Sequence, residues 1–200
     1  LVDIDGNQLA GTWKRTSEIL THMAIYRAVP QAKSVAHAHP VYATAFAMAG
    51  LEPPQCLIPE MEVFVGRAPL APYRTPGSIE MQSVIAPLAP KHQSILMGNH
   101  GAVCYGEDVY KAYFRMETVE HFARIALVAE LLGGPKVLPK VEVDKLLDAR
   151  TRYGVKTRSG GIPGCPLAAE DVEPGQERIC LTRQELVGLI EEALKARGMN

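Results

Sequence analysis

The apolar positions of this chain change period several times, and each change marks an element. In TSEILTHMAIYRAV, Leu20, Met23, Ala24 and Arg27 share a helical face, with Arg27 closing the stripe at its polar end. Thr16 or Ser17 stands where an N-cap belongs, and Pro30 ends the segment. SVAHA, Ser34 to Ala38, has the small and β-branched look of a short strand. Pro40 suits the first turn of a helix that runs through Met48 and stops at Gly50. Residues 51–78 are rich in Pro and Gly, with a short strand expected at Glu62–Val65. Ser78 is the expected N-cap of a helix reaching Leu88. SILMGNHGAVCYG then reads as two strands broken at Gly98–Gly101. A long helix is expected from Glu107 to Leu132. Val109, Ala112, Tyr113, Met116, Val119, Ala123 and Leu127 recur at its spacing, and Gly133-Gly134 closes it. A further helix, Val141–Thr151, precedes Tyr153-Gly154, and LVDIDGN at the start reads as a short strand turning at Asp5-Gly6-Asn7.

After residue 156 the pattern changes. Residues 157–180 are Ser, Gly, Pro and acid with little period, the composition of a linker or surface arm. Residues 181–200 form an amphipathic helix. Thr182 and Glu185 make a capping box, and Leu186, Leu189, Ile190 and Leu194 line one face. The expected organisation is therefore one domain over 1–156, an arm, and a terminal helix.

Composition narrows the function classes. Two hundred residues, 47% of them apolar, suffice for one domain with a sizeable core and an appendage. The net charge is −1 and no basic block appears, which argues against a nucleic-acid partner. No apolar run approaches the roughly 18 residues of a membrane span. No signal peptide is visible. Four scattered cysteines (Cys56, Cys104, Cys165, Cys180) form no CxxC pair, as expected of reduced structural thiols in a cytoplasmic protein.

The candidate chemistry is in the histidines. Residues i and i+2 of a strand point to one side, so His37 and His39 present both imidazoles to one space. Two unrelated polar residues at a strand end is the plainer alternative. His100, in GNHG, stands on a glycine-flanked turn. Three histidines from two strand ends would leave positions open for substrate or water, the pattern of catalytic rather than structural metal sites. His22, His92 and His121 read as surface or core-edge residues. Glu18 reads first as part of a capping signal, although the same helix start, with two hydroxyls at Thr16 and Ser17, is also a ready anion site.

Taken together, IDGN, RTSEILTHMAIYRAVPQAKSVAHAHPVYATA, APYRTPGS and LMGNHGAVCYGEDVYKAYFRMETVEHFARI resemble the class II aldolase/adducin family, in particular its fuculose-phosphate aldolases, over Ile4 to Gly154. The resemblance implies a single α/β domain whose central, mostly antiparallel sheet is flanked by helices on both faces. It implies that His37, His39 and His100 bind zinc. Glu18, nineteen residues before His37, would ligate resting zinc and then shuttle protons. Thr16 and Ser17 would hold the substrate phosphate, and Tyr153 would match a C-terminal tyrosine that closes over the site. The implied reaction is zinc-dependent cleavage of a deoxy-ketose 1-phosphate, of the fuculose or rhamnulose type, to dihydroxyacetone phosphate and lactaldehyde. The implied assembly is a homotetramer with sites between subunits. Family alternatives are a pentulose-5-phosphate 4-epimerase, a dehydratase, or a non-catalytic adducin-like scaffold. Two departures stand out. The family's N-terminal turns that complete the phosphate pocket do not precede Leu1, so weak phosphate binding is expected of the chain as written. Ile58 stands where the aldolases carry a neighbouring subunit's tyrosine. The terminal helix has two readings: an extra helix packed on a neighbouring subunit, or a docking peptide similar to those that direct enzymes to the shell proteins of bacterial microcompartments.

Overall fold

In the computed structural model, which describes residues 1–155, the polypeptide alternates helices with four short strands. The expected arm at 157–180 and terminal helix at 181–200 lie outside the described residues. The elements are α1 (Ile19–Ala28), β1 (Ser34–Ala38), α2 (Val41–Met48), a π-helical turn (Met61–Val65), β2 (Leu70–Ala71), α3 (Ile79–Ile85), β3 (Ser94–Met97), β4 (Gly101–Gly106), α4 (Val109–Leu131) and α5 (Lys140–Arg152). The strands form one sheet in the order β1-β4-β3-β2. β1 pairs antiparallel with β4, β4 with β3, and only the two-residue β2 runs parallel to its neighbour.

Every residue of β3 and β4 is buried, because helices cover both faces. The two-residue period sorts their side chains between two cores. Ile95, Met97, Val103 and Tyr105 join Ile25 and Val29 of the α1 segment and Met81 and Ile85 of α3. Leu96 points the other way, to Ala43 and Ala47 of α2 and Val119, Phe122, Ala123 and Ala126 of α4. Ala102 and Cys104 meet Met116 on that same α4 side. The result is the expected three-layer α/β fold.

Three expectations change. The run at Glu62–Val65 is a π-helical turn instead of a strand. Gly66, at φ 77°, donates its N–H to Met61 O at 2.6 Å, five residues back. The turn is held from outside: Glu62, fully buried, accepts the Cys56 N–H at 2.6 Å, and the Arg150 guanidinium donates through Nε to the Glu62 carbonyl at 2.8 Å. Tertiary partners thus override the strand propensity of MEVFV. The buried stripe of α4 keeps Ala112, Met116, Val119 and Ala123 of the expected one and changes the rest. It runs through Ala112, Arg115, Met116, Val119, Phe122, Ala123 and Ala126, while Val109, Tyr113 and Leu127 are exposed. Small residues face the sheet because the helix lies close to it. A Cβ on Gly106 would come within 2.6 Å of Lys111 Cβ and 2.8 Å of the Ala112 nitrogen. In α1, Ile25 and Val29 carry the core contact, and Arg27 is exposed, paired with Asp5. Among the described residues no helix is long and apolar enough to cross a membrane.

Candidate metal centre

The period of β1 decides where His37 points. His37 lies opposite Val103, and Val35 opposite Tyr105, so all four face the core that α1 and α3 cover. His39, two residues on and just past the strand end, shares that side. His37 Nδ1 lies 2.9 Å from the Ala102 carbonyl oxygen. A carbonyl can only accept, so Nδ1 carries the proton and Nε2 remains free as a ligand atom.

His100 arrives from the β3–β4 turn. Its N–H donates to Met97 O at 3.0 Å, and Asn99 takes the left-handed position at φ 52°. The flanking glycines serve close approach instead of the turn's positive φ. A Cβ on Gly98 would stand 3.0 Å from the Tyr73 nitrogen, and one on Gly101 would stand 2.5 Å from Ala38 O and 2.6 Å from His39 Cδ2. Only glycine at 101 lets the two histidine segments come together.

They do come together. Ring centroids lie 5.1 Å apart for His37 and His39, 4.9 Å for His37 and His100, and 4.9 Å for His39 and His100. One nitrogen from each ring lies within 4.8 Å of the others. His100 Nδ1 is buried and has no hydrogen-bond partner among protein groups. Burial lowers the pKa of His37 and His100, against the opposing pull of the Glu18 carboxylate on both. Three imidazoles, two of them biased neutral, with an orphaned ring nitrogen and one tautomer fixed from behind, fit a divalent metal of borderline softness.

Glu18 stands at the N-cap of α1, but its side chain makes no cap bond. It is 7% exposed, and Thr21 Oγ1 donates to its Oε2 at 3.3 Å. Its charge acts on His22, His37 and His100, so the carboxylate belongs to the imidazole cluster even though the close ligand set holds the three histidines alone. His22, read from the sequence as a core-edge residue, belongs here too. Burial lowers its pKa first, and then proximity to His37. The available signal was its place one helical turn after Glu18. Thr16 and Ser17 are exposed at the same helix start. Thr16 Oγ1 accepts the Glu18 N–H at 3.2 Å, and the Gly77 turn presses on the Ser17 carbonyl, where a Cβ would come within 2.8 Å. Tyr153 follows α5, 67% exposed, with its ring 5.8 Å from that of Phe64. It lines a cavity with Phe64, Phe114, Arg115 and Val155 that none of the three histidines lines. Among the described residues no exposed thiol is present: Cys56 and Cys104 are both fully buried, and burial pushes the Cys104 pKa up to about 12.

A three-layer α/β domain with three imidazoles and a buried carboxylate gathered at one end of its sheet is a scaffold for metal-assisted chemistry. Residues 1–127 match the Class II Aldolase and Adducin N-terminal domain, and the chain belongs to that family. It is 34% identical over 131 residues to the 3-oxo-tetronate 4-phosphate decarboxylase of Escherichia coli K12, a match covering 64% of this chain and 61% of that protein. It is 33% identical over 133 residues to an L-fuculose phosphate aldolase of Methanococcus maripaludis, covering 66% and 71%. The solved structure of an L-fuculose 1-phosphate aldolase superposes with a TM-score of 0.68 at 28% identity, over 75% of this chain and 70% of that one. The chain thus spans less than two thirds of the length of the decarboxylase it matches.

Proposed function

We propose that this protein is a zinc-dependent aldolase that cleaves a deoxy-ketose 1-phosphate, of the fuculose or rhamnulose type, into dihydroxyacetone phosphate and lactaldehyde. The observation that carries the reading is the convergence of His37, His39 and His100, with Glu18 buried and its charge acting on His37 and His100. Zinc bound there would polarise the substrate carbonyl and spread the negative charge that cleavage leaves. The protein's groups do the rest. Ala102 holds His37 in its ligating tautomer. Glu18, kept from bulk water and hydrogen-bonded only weakly by Thr21, would take and return a proton at the carbon beside the carbonyl. The hydroxyls of Thr16 and Ser17, at the positive end of the α1 dipole, would grip the phosphate and fix the bond to be cleaved. Tyr153 would exchange the proton of the hydroxyl that becomes the aldehyde oxygen, in a homotetramer whose sites lie between subunits. The reaction belongs in the cytoplasm, where sugar phosphates are found.

The 34% identity to a 3-oxo-tetronate 4-phosphate decarboxylase favours a second reading. Loss of carbon dioxide from a 3-oxo acid and retro-aldol cleavage both break a carbon–carbon bond one carbon from a carbonyl. Both leave negative charge where the same metal can spread it. Only the aldol reaction requires a group to exchange the aldehyde-side proton. The test is elemental analysis followed by product assay. The full chain is expected to carry about one zinc, lost in a His37→Ala/His39→Ala variant. It is then expected to release dihydroxyacetone phosphate from fuculose 1-phosphate, at a rate that falls at least about 100-fold in Glu18→Gln. Carbon dioxide from a 3-oxo acid phosphate, with no aldol product, would favour the decarboxylase. A chain that holds no metal after zinc is supplied and excess dialysed away would overturn both.

A further inference from the structure

The first turn of α2 follows the ligand His39 directly. Pro40, at its N-cap, has no side-chain acceptor for the free N–H groups that open a helix. Those groups are taken instead by a carboxylate 78 residues further along the chain. Glu120 of α4 accepts the Tyr42 N–H on both oxygens at 3.0 Å, and the Ala43 N–H on Oε2 at 2.8 Å. A negative charge at a helix N-terminus is favourable, and this one also fixes the helix to its neighbour. One turn on in α4, Arg124 lies over the Tyr42 ring, 5.7 Å from its centroid. The other end of α2 is tied to the second ligand segment, because the Ala47 carbonyl accepts the N–H of Asn99, the residue before His100. So α2 bridges both ligand segments: His39 covalently through Pro40, and His100 through Asn99.

We propose that Glu120 is a positioning residue for the metal centre. By pinning the first turn of α2 to α4, it sets where His39 stands relative to His100. This rests on the metal reading above. Without the clamp, the two opening N–H groups would seek water, α2 would shift on the small Ala43 and Ala47 contacts that seat it, and the triangle of imidazoles would open.

The test uses the full chain, with Co²⁺ as a visible probe. Glu120→Gln keeps the size but puts an amide N–H₂ where two backbone donors converge. It is expected to weaken Co²⁺ binding at least about tenfold and to alter the ligand-field bands at saturation, with far-ultraviolet circular dichroism unchanged. The control is Glu52→Gln, a comparable carboxylate clamp that takes Arg67 and the Leu70 N–H on β2, at the sheet edge opposite β1. It is expected to lower thermal stability and leave Co²⁺ affinity within about twofold of the parent. A second measurement needs no variant. If the clamp and the ligands are coupled, zinc must in turn slow hydrogen exchange in the peptide carrying Tyr42 and Ala43. Parent-like Co²⁺ affinity and spectrum in a folded Glu120→Gln, or exchange there unmoved by zinc, would overturn the proposal alone. A parent that binds no Co²⁺ would remove the metal reading together with it.

Discussion

His22, His37, His92 and His100 all hold a proton less readily than a free imidazole, chiefly because each is sunk among protein groups. The consequence is a pH dependence with a definite sign. As pH falls below 6.5, the reference value of all four, the unfolded chain protonates first and the folded protein follows only at lower pH. In that window the unfolded state binds more protons, so stability rises with pH and is lost as pH falls. Glu62 works in the opposite sense from 4.5 upward, since burial raises its pKa and its Oε2 has no partner. Thermal melts of the metal-free protein, run in chelator with Glu62→Gln beside the parent, should therefore show a falling midpoint from about pH 7.5 to about 6. The slope should shrink in a His92→Gln variant. A midpoint flat over that range in both proteins would mean that the imidazoles titrate as free ones. At this scale the sequence was partly legible. The His-x-His pair could be read because a strand's alternation is fixed by backbone geometry. Glu18 could not be read from its neighbours alone, since an acid after Thr-Ser normally signals a cap; only family resemblance marked it. That its side chain makes no cap bond and is instead buried beside Thr21 is a fact of the folded structure.

Between elements, the decisive contact is Gly101 against the end of β1. An added methyl would meet the Ala38 carbonyl at 2.5 Å and the His39 ring at 2.6 Å, and the backbone carbonyl cannot yield cheaply. Gly101→Ala is expected to cost about 1–3 kcal/mol in stability and to abolish tight Co²⁺ binding, because relief requires β1 and β4 to part where the ligands sit. Gly50→Ala is the contrast. It has nothing within 4 Å but a φ of 72°, so it should cost about 1 kcal/mol through backbone strain and leave metal binding unchanged. Equal metal affinity in the two variants, by titration against denaturation midpoints, would show that the Gly101 contact does not shape the site. The glycines of GNHG read in the sequence as allowing a tight turn and a close backbone approach; in the structure Asn99 takes the turn's positive φ, and the glycines admit neighbouring backbone. The phase of α4 was legible in part: Ala112, Met116, Val119 and Ala123 of the expected stripe are buried, whereas Phe122 and Ala126 join them and Val109, Tyr113 and Leu127 face outward. The two-residue β2 is too short to carry any period.

The whole molecule, as far as it is described, leaves aromatic surface uncovered. Tyr110, Tyr113 and Phe114 are all exposed at the start of α4. The Phe114 ring lies 5.6 Å from that of Tyr113 and 6.5 Å from that of Tyr110. Contiguous exposed aromatics mark a surface that meets another chain more often than open solvent. They are also the residues that the sequence period assigned in part to the core: Tyr113 and Val109 were read as buried and face outward. The elements and the His37/His39 pair were legible from local period and spacing, and the family resemblance supplied the fold class and joined His100 to the pair. Which apolar residues of α4 stay at the surface was not legible, since a core stripe and an exposed apolar stripe have the same composition. In the proposed homotetramer a neighbouring subunit would supply the cover, and the cavity lined by Phe114, Arg115 and Tyr153 opens beside the same patch. Sedimentation of the full chain at micromolar concentration should therefore give four times the chain mass. Phe114→Glu, which places a charge in the centre of the patch, should lower that mass while circular dichroism stays that of the parent. If the reaction site is completed between subunits, sugar-phosphate cleavage should fall with the mass. Co²⁺ should still bind, since His37, His39 and His100 come from one chain. A parent that sediments as a single chain would remove the tetramer. A Phe114→Glu protein that keeps its full mass would move the boundary to another face of the molecule.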